Sequence, residues 1–365
     1  MGCCTKLILI YKEEIEIHKN IKEIILLSGA YISVCIGSGF ATGQEILQFF
    51  SSQGSNSILA GILCMLIMMY SGAKLLKIGK NSNLKYSNDI FTHLFGSFLG
   101  NIFKILIPVF CLCSFIVMIS GAGATLNQYY GINKTVGGSI LAIITMISVI
   151  KGMDKVLSIL GSLGPIIAIV AIGVSIITIS NNYENLRNVD NIVYNLNMVK
   201  AVDSWPLSAL VYSGLNIIFA TPFLAGAGKT VKNIKNCKYA GILGGFILIA
   251  AAMFINIALL TDIQNVYIQE IPTLYIAKQI SNGIGNIFSL ILIGGIYTTA
   301  APLLWNVCSS CYVEKTKEFN LMAILCTVLG IFGGMLPFSY LVNFMYPISG
   351  SVGIIIIIFL IVKRR

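Results

Sequence analysis

The most constraining feature of this 365-residue chain is a glycine-rich run, Gly-Ser-Gly-Phe-Ala-Thr-Gly-Gln-Glu at residues 37–45, inside an apolar stretch long enough to cross a membrane. Each glycine in a helix interior costs about 1 kcal/mol relative to alanine, and a carboxylate such as that of Glu45 is costly near a membrane interior. Non-helical backbone at this depth is tolerated where protein or a water-filled cavity satisfies its polar groups. The run therefore predicts a broken helix beside a binding site.

The composition is that of an integral membrane protein. Hydrophobic residues make up 56% of the chain and charged residues 10%, with a mean hydropathy of +0.88, whereas a soluble domain carries about 25% charged residues. No H-E-x-x-H, P-loop or G-x-S-x-G motif occurs, so we expect no enzyme activity. The C-x-x-C at Cys308 and Cys311 lacks the second pair of a zinc site, and we expect no cofactor.

Apolar segments of about 20 residues, the length of a spanning helix, occur repeatedly along the chain. They predict ten transmembrane helices and an all-α fold. Their approximate limits are 22–50, 57–77, 101–127, 136–151, 156–180, 205–228, 238–261, 284–310, 319–336 and 338–362.

The basic residues orient these helices, because cytoplasmic loops are enriched in lysine and arginine. With the N-terminus inside, all but four of the 24 lysines and arginines fall on the cytoplasmic side, the exceptions being Lys134, Arg187, Lys200 and Lys278. We therefore expect a multi-pass protein of the cell membrane (a bacterial inner or plasma membrane), with residues 1–20 as a cytoplasmic tail and 363–365 as a basic cytoplasmic C-terminus. The same bias explains the net charge of +10 without a nucleic-acid partner.

Ten helices divide into five plus five, and an odd number per half turns a duplicated second half upside down. The region 21–362 is then one transporter domain, with one repeat over about 21–180 and the other over about 205–362. A short echo supports this division: Phe-Ala-Thr-Gly at 40–43 and Phe-Ala-Thr-Pro at 219–222. Each lies in the first helix of its half, and Pro222 together with Gly214 predicts an interruption of helix 6. Inverted repeats with discontinuous helices are a recurrent plan of secondary transporters.

Residues 31–50, with their Gly-Ser-Gly-Phe-Ala-Thr-Gly-Gln-Glu core, resemble the first helix of the YkvI-like membrane proteins. These form a bacterial group similar to the amino acid–polyamine–organocation superfamily. The segment Ile-Tyr-Thr-Thr-Ala-Ala-Pro-Leu-Leu-Trp at 296–305 extends the resemblance, which covers nearly everything after residue 20. It implies a LeuT-like fold of two inverted five-helix repeats with helices 1 and 6 discontinuous.

The resemblance also implies a sodium ion between the break of helix 1 and two hydroxyl residues of helix 8. The positions that match the family pattern are Ser33, Ile36, Gly295, Thr298 and Thr299. A shift of one residue would instead pair Tyr297 with Thr298. Apart from the resemblance, threonine hydroxyls are hard oxygen donors of the kind that small cations prefer, although buried threonines also bond to the carbonyl one turn back.

Two further groups of residues are candidates for binding solute. A half-helix that starts after a break presents free amides, and those at Gly37, Ser38, Gly39 and Phe40 are predicted to hold a substrate carboxylate. Near the predicted interruption of helix 6 lie the other candidates, Tyr212, Ser213, Gly214, Asn216 and Phe219. The alternative is close helix packing, since Gly39-x-x-x-Gly43 is also a packing motif.

Glu45 and Thr42 are candidates for coupling or gating. Glu45 lies well inside a predicted span, where a carboxylate is a functional hypothesis by default. The alternative is structural: Thr42-x-x-Glu45 is a capping box, with Thr42 as the N-cap of the outer half-helix.

These patterns predict a secondary transporter, coupled to sodium or protons, of a small organic solute such as an amino acid or related amine. Its partners would be that solute and the lipid bilayer, and its oligomeric state stays open. The alternative is a nutrient-sensing subunit of the same fold, resembling spore-germination receptors, that does not transport.

Overall fold

The computed structural model describes residues 2–82, 84, 88–152 and 154–363, without the side chains of 2–17, 38 and 154–165. This part of the chain is helical and contains no β-strand. Its α-helices are α1 (Gly2–Cys35), α2 (Ser38–Thr42), α3 (Gln44–Phe49), α4 (Ser57–Asn81), α5 (Asp89–Tyr130), α6 (Lys134–Lys151), α7 (Asp154–Asn182), α8 (Val189–Asn195), α9 (Trp205–Thr230), α10 (Ile234–Leu260), α11 (Ile263–Val266), α12 (Pro272–Ile280), α13 (Asn282–Ser309), α14 (Lys317–Gly333) and α15 (Phe338–Val362).

Eight helical segments of the described chain are long and apolar enough to cross a membrane. They are Ser51–Asn81, Asp89–Tyr130, Lys134–Lys151, Ile166–Asn195, Trp205–Thr230, Ile234–Leu260, Asn282–Ser309 and Phe338–Val362. The predicted first and ninth spans fall outside this set, because the first is broken and α14 has only 17 residues. The all-α membrane architecture is confirmed, while the total of ten spans stays a prediction.

The predicted break in the first span is present. Helix α1 ends at Cys35, Gly37 is extended (φ −98°, ψ −172°), and α2 runs only to Thr42. Gly43 then adopts a left-handed conformation (φ 78°) before α3 begins. Only glycine adopts this conformation without a steric penalty. A residue with a side chain at position 43 would therefore strain the connection between α2 and α3.

The predicted interruption of helix 6 is wrong: α9 is a single helix from Trp205 to Thr230. The polar residues that suggested a break satisfy themselves within the helix. The Ser213 hydroxyl donates to the carbonyl of Ala209 at 2.7 Å, and the Asn216 amide donates to that of Tyr212 at 3.0 Å. Pro222 removes one backbone donor, which a membrane helix tolerates when neighbouring groups compensate.

Helix packing follows a pattern of internal two-fold symmetry. The first five long helices, α1, α4, α5, α6 and α7, correspond in order to the last five, α9, α10, α13, α14 and α15. When each helix is replaced by its counterpart, a main contact between two helices corresponds to another contact that is also present. Helix α1 packs on α10 as α4 packs on α9, and α7 packs on α13 as α15 packs on α5. The pairs α4–α10, α5–α13 and α6–α14 map onto themselves. An inverted repeat produces this exchange of partners.

Glycines allow these helices to approach closely. A Cβ on Gly228 of α9 would overlap the carbonyl of Leu76 on α4. A Cβ on Gly241 of α10 would overlap the backbone of Ala73, which also lies on α4. Small residues at helix crossings are the usual means of packing in lipid, where no hydrophobic force drives helices together. The crossings of α4 with α9 and with α10 therefore depend on the close approach of the backbones.

Candidate functional site

A cavity of about 1140 Å³ lies beside the break between α1 and α2. Its walls come from α1, α5, α9 and α13. Its inner end is lined by Glu45 and Tyr346. From there it extends to Asp89 and Lys104 in the N-terminal half of α5 and to Ser310, which directly follows α13. Asp89 and Lys104 are partly exposed, with side-chain exposures of 27% and 34%. The cavity is therefore reached from the side that the lysine distribution predicts to be cytoplasmic.

The opposite side of the break is covered. Thr273 of α12 donates to the carbonyl of Ala41 at 2.7 Å. Phe49 and Phe50 pack around the ring of Tyr212, with centroids 5.5 and 4.9 Å away, and every residue of α3 is buried. Helix α12 and the buried residues of α3 thus lie between the Glu45 side chain and the face opposite Lys104. The cavity is thus open toward Asp89 and Lys104 and covered on the opposite side of the break.

Glu45 is held by its surroundings at the inner end of the cavity. Only 5% of the residue is exposed, and its Oε1 accepts a hydrogen bond from the Tyr212 hydroxyl at 3.0 Å. Its Oε2 lies 2.5 Å from the position that a Cβ on Gly39 would take. The absence of a side chain at Gly39 is therefore what makes room for the carboxyl group.

The capping box is not formed. The N-cap of α3 is Gly43, which provides no side-chain cap. The Thr42 hydroxyl donates to the carbonyl of Gly39 at 3.2 Å and lies 3.4 Å from the amide of Gln44. Because the Glu45 carboxyl turns toward Tyr212 instead of the backbone, it is available to the cavity, while Thr42 is buried behind it.

The predicted solute-binding residues separate into two groups. Gly37, Asn216 and Phe219 line the cavity. Gly39, Phe40, Tyr212, Ser213 and Gly214 are buried behind its wall, and Tyr212 reaches it only through Glu45. The side chain of Ser38 lies outside the described residues. Their roles in binding solute stay predictions.

The candidate ion ligands converge at the break. The Thr299 hydroxyl lies 3.4 Å from the Ile36 carbonyl and 3.1 Å from the Gly295 carbonyl, and the Thr298 hydroxyl donates to Gly295 at 2.9 Å. Ser33 lines the cavity nearby. Both threonines thus also make the bond to the carbonyl one turn back that buried threonines ordinarily make. A cation site at these hard oxygen atoms stays a prediction.

The alternative register is disfavoured by the position of Tyr297. Its hydroxyl donates to Ser148 of α6 at 2.7 Å, and it does not line the cavity. The pairing of Thr298 with Thr299 therefore fits the break better than the pairing of Tyr297 with Thr298.

Several cavity residues have no counterpart in the predicted site. Met118 of α5, Trp305 of α13 and Tyr346 of α15 line the cavity. Each is an apolar or aromatic residue in an apolar helix, a pattern typical of ordinary membrane packing. Local sequence carries no signal that separates such residues from their lipid-facing neighbours, because only the helix arrangement decides which face meets the cavity.

Comparison with known proteins finds two sequence relatives to which the chain is similar along nearly its whole length. No family model matches it. It is 24% identical over 348 residues to the uncharacterized membrane protein YkvI of Bacillus subtilis (strain 168), covering 93% of this chain and 95% of that one. It is 25% identical over 342 residues to the uncharacterized protein YyaD of the same organism, covering 94% and 96%.

Two solved structures share its fold. MhsT, solved in complex with L-phenylalanine, matches with a TM-score of 0.67 at 12% identity, covering 91% of this chain and 87% of MhsT. A manganese transporter of Eremococcus coleocola matches with a TM-score of 0.55 at 15% identity, covering 91% and 75%. The chain is thus a membrane protein with the LeuT-like fold, similar along nearly its whole length to YkvI and YyaD.

Proposed function

We propose that this protein is a secondary transporter that moves a small organic solute, an amino acid or a related amine, by alternating access coupled to a cation. The observation that carries the proposal is the cavity of about 1140 Å³, which ends at a helix break halfway through the fold and is covered on the other side by α3 and α12. A site reached from one face at a time is what alternating access requires. The fold is shared with structures of transporters, which accords with a protein that is not an enzyme.

Transport would follow from differential affinity. A solute at the break shifts the equilibrium between states only by as much as it binds them differently. Helices α2 and α3 are short and flanked by Gly37 and Gly43, so they are the segments of the first span best able to move relative to α5 and α13. The cation at Ile36 and Thr299 would stabilise the connection between the break and α13.

The proposal is tested with purified protein in liposomes. A panel of labelled amino acids and amines is offered with an inward sodium gradient, an inward proton gradient, or none. We expect gradient-stimulated accumulation of at least one solute that empty liposomes lack. Specific binding of a solute without accumulation under any gradient would contradict transport and favour the nutrient-sensing alternative.

The sodium site predicts the effect of Thr299→Val. This change keeps the volume but removes a hydroxyl that faces the Ile36 carbonyl at 3.4 Å. Hydrogen bonds to charged groups contribute about 1.5–3 kcal/mol, so we expect the sodium concentration for half-maximal uptake to rise roughly tenfold or more. The measurement is uptake against sodium concentration.

The matched control is Thr327→Val. Thr327 is a buried threonine of α14 whose hydroxyl donates to the Ala323 carbonyl at 2.7 Å, remote from the break. We expect unchanged sodium dependence for it. Uptake that depends on the proton gradient and not on sodium, in both variants and in the unmodified chain, would contradict the predicted sodium site.

A further inference from the structure

The charges that line the cavity do not balance at its inner end. Among the described lining residues, the charged ones are Glu45, Asp89 and Lys104. Lys104 pairs with Asp89 at 3.0 Å near the mouth. Glu45 has no basic partner within the part of the chain whose side chains are described. An uncompensated carboxylate in a membrane interior is costly, so a positive partner that arrives from the cavity would stabilise the ionised form of Glu45.

The groups around Glu45 leave most of its hydrogen-bonding capacity unused. An ionised carboxyl accepts at about four lone-pair sites, and the Tyr212 hydroxyl occupies one of them. The other neighbours are Gly39 and the ring of Tyr346, with the thiols of Cys35 and Cys64 beyond. None of these is a cation, and Glu45 itself lines the cavity.

The same geometry opposes a second carboxylate at the break. The amides near Gly39 were the predicted site for a substrate carboxylate, but Glu45 Oε2 lies 2.5 Å from where a Cβ on Gly39 would be. A solute carboxylate in that place would meet a like charge. The one lysine that lines the described cavity, Lys104, already faces Asp89. An amine is therefore favoured over an amino acid.

We propose that Glu45 binds the ammonium group of an organic amine, and that the cavity selects amines without a carboxylate over the matching amino acids. The inference rests on the proposed function and narrows its solute class. Met118, Leu215 and Phe219 line the cavity and suit a hydrocarbon body. A charge-assisted bond to Glu45 then orients the solute with its amine at the break.

The test is the thermal stability of the full chain in detergent with two matched ligand series. One series is isoamylamine, leucine and isocaproate, and the other is phenethylamine, phenylalanine and hydrocinnamate. Within a series the body is shared and only the charged groups differ. A ligand of the folded state raises the melting temperature with concentration. We expect at least one amine to act at concentrations roughly tenfold or more below those of its amino acid and acid.

Variants identify the residue. Glu45→Gln keeps the size of the side chain and an acceptor for Tyr212, and we expect amine affinity to fall about tenfold or more. Glu270→Gln makes the same chemical change outside the cavity, at a carboxylate paired with Lys134, and should bind as the unmodified chain does.

The outcomes separate this proposal from transport. Equal or tighter binding of an amino acid than of its amine, no response to either amine, or amine binding unchanged in Glu45→Gln would overturn the amine site. The ligand series decides even if Glu45→Gln fails to fold, because it uses the unmodified chain. Gradient-driven uptake of a neutral or zwitterionic solute would leave transport standing while the amine site falls. Glu45-dependent amine binding without uptake would do the reverse.

Discussion

Gly39→Ala is expected to lower solute binding and uptake about ten- to hundredfold while the chain still folds. A Cβ at this position would lie 2.5 Å from Oε2 of Glu45 and 2.8 Å from the ring of Tyr346. The carboxyl group is the flexible end of its side chain, so it can leave without disturbing the backbone. The loss of one charge-assisted bond, about 1.5–3 kcal/mol, corresponds to this range of affinity.

The measurement is uptake into liposomes together with the elution profile and helix content of the purified variant. Gly294→Ala is the control: it lies in α13, has no atom within 4 Å of an added Cβ, and should transport as the unmodified chain does. Normal uptake by Gly39→Ala would contradict this prediction, because it would show that transport does not require the Glu45 carboxyl group in its position next to Gly39. A variant that fails to fold would place the role of Gly39 in packing.

The break of the first helix was predictable because several local preferences disagree with a continuous helix at one place. Three glycines and a carboxylate occur within residues 37–45, and each raises the free energy of an uninterrupted membrane helix. The structure adds what the residue types leave open, namely that Gly43 has the positive φ while Gly37 is extended. The positions of the long helices were predictable for a similar reason, since apolar length is a local property.

The supposed break of helix 6 shows where local preferences fail. Glycine, serine, asparagine and proline interrupt a helix in one context and serve its packing in another. In α9 the side chains of Ser213 and Asn216 bond one turn back, and Gly214 faces α15. The deciding partner is far away in the sequence, so no pattern within α9 could have distinguished the two outcomes.

The candidate site was predictable in its residue types more than in its contacts. Glu45 and Tyr212 were both candidates, but their hydrogen bond joins residues of different halves. The capping box was a local pattern that competed for Glu45, and a tertiary contact prevailed over it. Tyr346 was not identified because an aromatic residue in an apolar helix resembles any other packing residue.

Gly214→Ala is expected to destabilise the fold by about 3 kcal/mol, the upper end of the usual cost of overpacking, since rigid neighbouring groups relieve the overlap poorly. A Cβ there would overlap the Gly350 carbonyl and lie 2.9 Å from the amide of Ile354, and Gly353 faces Gly214 in return. These are backbone atoms of α15, so no side-chain rotation relieves the collision. Thermal unfolding in detergent measures the effect, with Gly173→Ala of α7, which has nothing within 4 Å, as the control. If the variant keeps its melting temperature but loses uptake, the packing role of Gly214 is wrong, and the result favours the predicted role of Gly214 in binding solute.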